Sequence, residues 1–260
     1  MHWLSARRLL QSTSLFINIC GIVQRDVFAG AVPRVFLVLP AGLPAAHQSR
    51  GNTIGTQSEM KKQEDIAAAI LAGGKSTRMG RDKALLELSG KPFIQRVAEV
   101  LQGVFSQVVV VSDHGKQYAF LGLPVVEDTY KNCGPLGGMH AALSKTGADA
   151  VFFCSCDVPF LSADLIRYVV NRKLHDDVTL VLGGNSLQPL CGVYKKSCLT
   201  VIDKQLKRGN YSVHKCITKL HTTILSQPSE YRNSTIHPLT NINTPADYER
   251  CLKASSASRV

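Results

Sequence analysis

The residues of this chain that could do chemistry fall into three groups. The first is a loop, Leu71-Ala72-Gly73-Gly74-Lys75-Ser76-Thr77-Arg78-Met79-Gly80-Arg81-Asp82-Lys83. Its adjacent glycines let the backbone turn sharply and approach a ligand with no Cβ in the way. Successive N–H groups in such a loop form an anion nest, and Lys75, Arg78, Arg81 and Lys83 add charge-assisted bonds. The second group is a pair of carboxylates, Asp128 and Asp157, each just behind an apolar run. The third is Asn241 and Asn243, ahead of Thr244-Pro245. Cations on a glycine turn suit a polyphosphate. A carboxylate beside them suits Mg²⁺, which takes one or two carboxylates plus phosphate oxygens. Gly134-Pro135-Leu136-Gly137-Gly138 adds a second place where glycines admit a ligand close to the backbone.

Other chemistries fit poorly. A Walker loop needs a glycine where Ala69 stands, and no Gly-x-Gly-x-x-Gly occurs. The eight cysteines make no Cys-x-x-Cys pair, and Cys154-x-Cys156 lies in an apolar run, so they read as reduced, buried thiols of a cytoplasmic protein. His140, His175 and His214 stand alone, as surface or core residues. The net charge of +11 calls for an anionic partner. The basic residues are scattered and aromatics are few, so the expected partner is a small polyanion, with no nucleic acid and no membrane.

These groups need elements to position them. Residues 66–70, the valine run 108–111, Val125-Val126 and residues 150–156 read as buried strands. Helices are expected after Pro92, over 139–143, over 163–174 behind the cap Ser162, over 198–207, near 213–220, and from Ala246 behind Thr244-Pro245. Further strands are expected at 178–182, 190–194 and 222–225. Alternating strands and helices give a three-layer α/β domain, a mainly parallel Rossmann-like sheet covered on both faces. Such sheets bind ligands at the carboxyl ends of their strands. The glycine loop, Asp128 and Asp157 each follow a predicted strand directly.

Residues 1–59 differ from the rest, with Arg7, Arg8, Arg25, Arg34 and Arg50 against only Asp26 and Glu59. Their apolar stretches at 15–23 and 27–43 are too short, or too interrupted by Arg34, Pro33 and Pro40, to span a bilayer. The expectation is an extension outside a folded domain of residues 60–260. It would be disordered, an Arg-rich transit segment, or the result of a start set upstream of Met60, the last being favoured.

Position by position, the loop resembles the Leu-Ala-Gly-Gly-x-Ser-x-Arg-Met-Gly-x-Asp-Lys signature of the molybdenum cofactor guanylyltransferases, within the nucleotidyltransferase superfamily. Cys156-Asp157-Val158-Pro159 is similar to that family's Cys-Asp-x-Pro segment, 134–139 to its Gly-Pro-Leu-x-Gly-Met loop, and 241–245 to its Asn-x-Asn-Thr-Pro motif. The resemblance spans Ile66 to the last helix and implies the fold of the nucleotide-diphospho-sugar transferases. It implies nucleotide contacts at Leu71, Ala72, Gly73, Gly74, Lys83, Asp128, Gly134 and Asp157. Arg78, Lys83 and Asp157 would be catalytic, with Mg²⁺ on Asp157 and phosphate or acceptor contacts at Asn241 and Asn243. The implied substrates are GTP and the molybdopterin cofactor. Molybdenum-insertion proteins and molybdoenzyme apo-proteins are candidate partners. One departure is Val111, where the family often carries an asparagine. Phosphate-loop residues do not separate this activity from cytidylyl transfer to the same cofactor or from nucleotidyl transfer to a sugar 1-phosphate. A non-catalytic nucleotide-binding partner in cofactor delivery is the alternative of another class.

Overall fold

The computed structural model describes residues 35–38, 63–73, 82–172, 176–183, 186–228, 231 and 237–257. Ten strands are found among them: β1 Val35–Val38, β2 Ile66–Leu71, β3 Glu87–Leu88, β4 Lys91–Pro92, β5 Val108–Val111, β6 Val125–Val126, β7 Ala150–Ser155, β8 Val178–Gly183, β9 Ser186–Lys195 and β10 Thr222–Leu225. The helices are α1 Phe93–Gln102, α2 Gly134–Lys145, α3 Ala163–Val170, α4 Leu199–Lys207, α5 Val213–Ile217 and α6 Pro245–Ala257.

Eight strands form one sheet in the order β1-β10-β8-β9-β7-β2-β5-β6. All its pairings are parallel except those of β9, which runs antiparallel to both β7 and β8. β2 lies inside the sheet between β7 and β5, and all six of its residues are buried. The period of two along each strand divides the core into two faces. Ala68, Ile70, Val110, Phe152 and Cys154 face α1 and α3. Ala67, Ala69, Val109, Val151 and Phe153 face α2, α4 and α5. The result is the expected three-layer α/β domain. Truncating a ring such as Phe152, stacked on Phe105 at 5.5 Å between centroids, would cost about 3–5 kcal/mol.

Several boundaries differ from expectation. α2 begins at Gly134, so the Gly-Pro-Leu-Gly-Gly segment is the first turn of a helix and not a loop before one. Proline is tolerated there because first-turn N–H groups have no helical partner. Pro92 stands just before the first helical residue of α1. α3 ends at Val170; residues 173–175 lie outside the described set. The β3–β4 hairpin carried no periodic signal. Of the extension, the four residues of β1 pair with β10 at the sheet edge, Val35 opposite Thr222 and Val38 opposite Leu225. The seven described cysteines are free thiols. No helix among the described residues is long and apolar enough to cross a membrane.

β1 is the outermost strand, with β10, β8 and β9 between it and β7. A chain beginning at Met60 is therefore expected to unfold cooperatively and keep its turnover, with β10 as the new edge. A thermal scan and an activity assay beside the full chain check this. Loss of the cooperative transition would give residues 1–59 a necessary place in the domain.

Candidate active site

The parallel register levels four strand ends. Leu71 pairs with Val111 on one side and Ser155 on the other, and Val111 pairs with Val126. Cys156 N–H donates to the Leu71 carbonyl (3.3 Å) and Ala72 N–H to that of Val111 (3.0 Å). The glycine loop, the Asp128 loop and Asp157 therefore leave the sheet side by side. Leu71 and Ala72 are buried, so only their backbone is offered to a ligand. At Gly73 a Cβ would meet nothing within 4 Å, leaving room for close approach. Gly74 and Arg78 lie outside the described residues.

Lys83 opens a short 3-10 turn, Lys83–Leu85, capped by Asp82. Asp82 Oδ1 accepts from Ala84 N–H (3.0 Å), while Oδ2 accepts from the Tyr118 hydroxyl (2.7 Å) and from Gln117 Nε2 (2.8 Å). Tyr118 is buried, so this tether anchors the turn to the core. Lys83 Nζ donates to Asn243 Oδ1 at 2.8 Å and lies 4.0 Å from Asp157 Oδ2. Both charged side chains are mostly buried, at 17% and 16% exposure, where their attraction is only partly screened.

Asn243 is held in turn. Ile242 N–H donates to the Asp157 carbonyl (3.0 Å), stitching the asparagine segment to the end of β7. Asp247 Oδ2 accepts from the N–H groups of Asn243 (3.1 Å) and Thr244 (2.9 Å), and Thr244 Oγ1 accepts from Asp247 N–H (3.2 Å). This reciprocal cap fixes the start of α6. Asn241 Nδ2 donates to Gln188 Oε1 on the β8–β9 hairpin at 3.4 Å. Ser155, Asp157, Asn241 and Asn243 thus form the polar wall of a cavity of about 580 Å³. Its other walls are Pro135, the hairpin segment 187–191, segment 211–214 and Leu239, largely apolar with Tyr211 and His214 at the rim.

Asp128 and Gly134 stand on the β6 side, at the start of α2. Gly134 has φ +61°, a left-handed value that glycine takes without strain. Cys133 precedes it without a side-chain cap. A Cβ at Gly138 would lie 3.4 Å from Asp128 Oδ1, and one at Gly137 only 2.7 Å from the Tyr130 carbonyl. Burial first, then the neighbouring Asp113, pushes the Asp128 carboxyl up to about 6. Val111 is buried against Gly138 and offers no polar group.

Sequence reasoning named Lys83, Asp157, Asn241 and Asn243, and the fold brings these together. It quoted Asp82 in the loop without giving it a role and missed Tyr118 and Gln188; these three hold them. The one available signal was Asp82 as the cap of a turn.

Residues 68–223 match the family described as the MobA-like NTP transferase domain. A protein of Clostridium perfringens strain 13, named "Probable molybdenum cofactor guanylyltransferase", is 34% identical over 72% of this chain and 96% of its own. The "Molybdenum cofactor guanylyltransferase" of Desulfosudis oleivorans is 31% identical over 75% of this chain and 98% of its own. The solved structure of molybdopterin-guanine dinucleotide biosynthesis protein A from Archaeoglobus fulgidus shares the fold. Its TM-score is 0.64 at 24% identity, covering 74% of this chain and 99% of that one.

The raised Asp128 carboxyl has a stability signature. The folded protein holds this proton more tightly than the unfolded chain, so ionisation above about pH 6 opposes folding. Asp128→Asn is expected to raise the thermal midpoint at pH 7.5 by about 2–4 °C. The gain should shrink as pH falls through about 6 and vanish below about 4, where both states are protonated. Midpoints measured from pH 4 to 8 test this; a gain independent of pH would mean that the carboxylate is not strained by burial. With this site at the carboxyl edge of its sheet, the chain belongs to the MobA-like NTP transferase family.

Proposed function

We propose that the protein transfers GMP from GTP to the terminal phosphate of the molybdenum-bearing molybdopterin cofactor, forming molybdopterin guanine dinucleotide and pyrophosphate. The observation that carries this reading is the meeting of Lys83, Asp157 and Asn243 at the carboxyl edge of the sheet, in a chain whose relatives are named for guanylyl transfer. The acceptor oxygen attacks the α-phosphorus in line, the bond to the bridging oxygen breaks, and pyrophosphate leaves with that electron pair. A phosphate monoester has a second pKa of about 6 and is already ionised at neutral pH. The chain therefore needs no general base, and its task is positioning and charge stabilisation.

Lys83, held by Asn243, offers a fixed positive charge to the triphosphate and the departing pyrophosphate, and we assign Arg78 the same role. The first-turn N–H groups of α2 and the backbone at Gly73 suit the nucleotide. The cavity between Asp157 and the β8–β9 hairpin suits the acceptor, its polar wall toward the phosphate and its apolar wall toward the ring system. The donor set suits Mg²⁺: Asp157 would supply the carboxylate, Asn241 on the same wall would face the ion's water shell, and the remaining positions fall to phosphate and water, Asn243 Oδ1 being taken by Lys83. When bound there, Mg²⁺ supplies charge that offsets the repulsion between the two phosphates.

Asp157→Asn keeps the shape of the side chain while removing its charge. It should fold normally and lose at least about a hundredfold in Mg²⁺-dependent turnover, the scale of a main electrostatic element. Near-normal rates would remove Asp157 from the site.

Base choice gives a second test. Guanine presents a carbonyl acceptor and N–H donors that cytosine arranges differently. A site built for one leaves its own groups unpaired with the other, at about 1–3 kcal/mol per lost partner. GTP is expected to exceed CTP in kcat/KM by at least about a hundredfold. Pyrophosphate release with molybdenum-loaded acceptor, scanned over GTP, CTP, ATP and UTP, measures this. Preference for CTP would convert the reading to cytidylyl transfer. Reaction only with a sugar 1-phosphate would leave the nucleotidyltransferase reading and remove the cofactor. Absence of turnover would leave a nucleotide-binding partner.

A further inference from the structure

The loop that carries Asp128 is tied down at several points. Residues 127–133 join β6 to α2. Asp128 N–H donates to Asp113 Oδ1 (3.2 Å), and Lys131 Nζ closes on the same oxygen at 2.6 Å. On the α2 side the Tyr130 carbonyl lies over the bare Cα of Gly137, where a Cβ would come within 2.7 Å. Tyr130 itself leaves the loop in the other direction, toward α4. Its hydroxyl donates to Asp203 Oδ1 at 2.5 Å, and Lys207 Nζ sits 2.6 Å from Asp203 Oδ2. His140 of α2 meets the Tyr130 ring edge-on, with centroids 4.9 Å apart and planes at 85°. Apart from Asp128, none of these groups takes part in the reaction outlined above, yet all of them bear on the short segment from Asp128 to Lys131.

We propose that the Tyr130–Asp203 hydrogen bond is a positioning latch for nucleotide binding: it clamps the 127–133 loop between α2 and α4 so that the Asp128 carboxylate is already in place when the nucleotide arrives. The inference rests on the reading of Asp128 as a nucleotide contact. The bond is charge-assisted, and Lys207 sets the acceptor in advance. A carboxylate already held in place loses little conformational freedom on binding. One on a loose loop must be ordered by each nucleotide that enters. The latch thus acts on affinity for the triphosphate, through Asp128, and Tyr130 touches no reacting atom.

Tyr130→Phe keeps the ring on His140 and removes only the hydroxyl. Titrating GTP against the full chain without acceptor is expected to show a dissociation constant raised about tenfold, the scale of one charge-assisted bond. Asp203→Asn should give the same change, and the double variant should be no weaker than either single one. In turnover, KM for GTP should rise by more than kcat falls. The decisive comparison is with Asp128→Asn. In that background Tyr130→Phe should add less than about twofold, because the residue being positioned is gone. No loss of GTP affinity in Tyr130→Phe, or an equal loss with and without Asp128, would overturn the latch. If the unaltered chain binds CTP and not GTP, the guanylyl reading falls, and the same tenfold change measured with CTP supports the latch. A chain that binds no nucleoside triphosphate overturns both.

Discussion

The register of the parallel strands around β2 is the constraint on which the candidate site depends. Leu71, Val111, Val126 and Ser155 lie in one row across four strands. A one-residue slip of β7 against β2 would turn Phe152 and Phe153 to the opposite faces of the sheet. It would also displace Asp157 by more than 3 Å along the strand, about one strand residue. Both faces of this sheet are packed, so a slip would drive each ring of β7 into the layer shaped for its neighbour. Core packing thereby sets where the carboxylates stand, to within less than the length of a strand residue.

Around that row, tethers of growing range place the remaining groups. Asp82 ties the Lys83 turn to Tyr118, 36 residues away. Lys83 reaches Asn243 across 160 residues. Closing such a contact is costly in chain entropy, but the cost grows only slowly with loop length. The intervening sheet has already been ordered by its own burial, so the last bond closes a small gap. The charges of this cluster, Asp82, Lys83 and Asp157, are also mutually satisfied, each with a hydrogen-bonded or opposite neighbour, as groups removed from water require.

Much of this was legible in the sequence. The valine run of β5 and the apolar run of β7 could only be strands covered on both faces, and the polar residues behind them then had to share one edge. The α2 start was illegible because proline and glycine usually mark loops. Here the glycines serve contact, Gly137 with the Tyr130 carbonyl and Gly138 with Val111. β1 and the β3–β4 hairpin, with strands of two to four residues, are too short to show a period. Lys83 stood out by composition, but its partner did not, because nothing local links it to Asn243. Asn241 and Asn243 gained a role in binding only through their resemblance to a known motif, since an asparagine pair ahead of a capped helix is ordinary by itself.

The backbone bond from Ile242 N–H to the Asp157 carbonyl, and the side-chain bond from Lys83 to Asn243, join the end of β7 and the turn behind β2 to the segment that leads into the closing helix. Synthesis on the ribosome runs from the N-terminus, so the central strands are made before segment 241–243. Until it is released, the lysine lacks its partner and the end of β7 lacks its cover. A nascent chain can thus bury most of its sheet while its phosphate-handling edge is unfinished, and competence arrives in one late step, with the docking of the last helix.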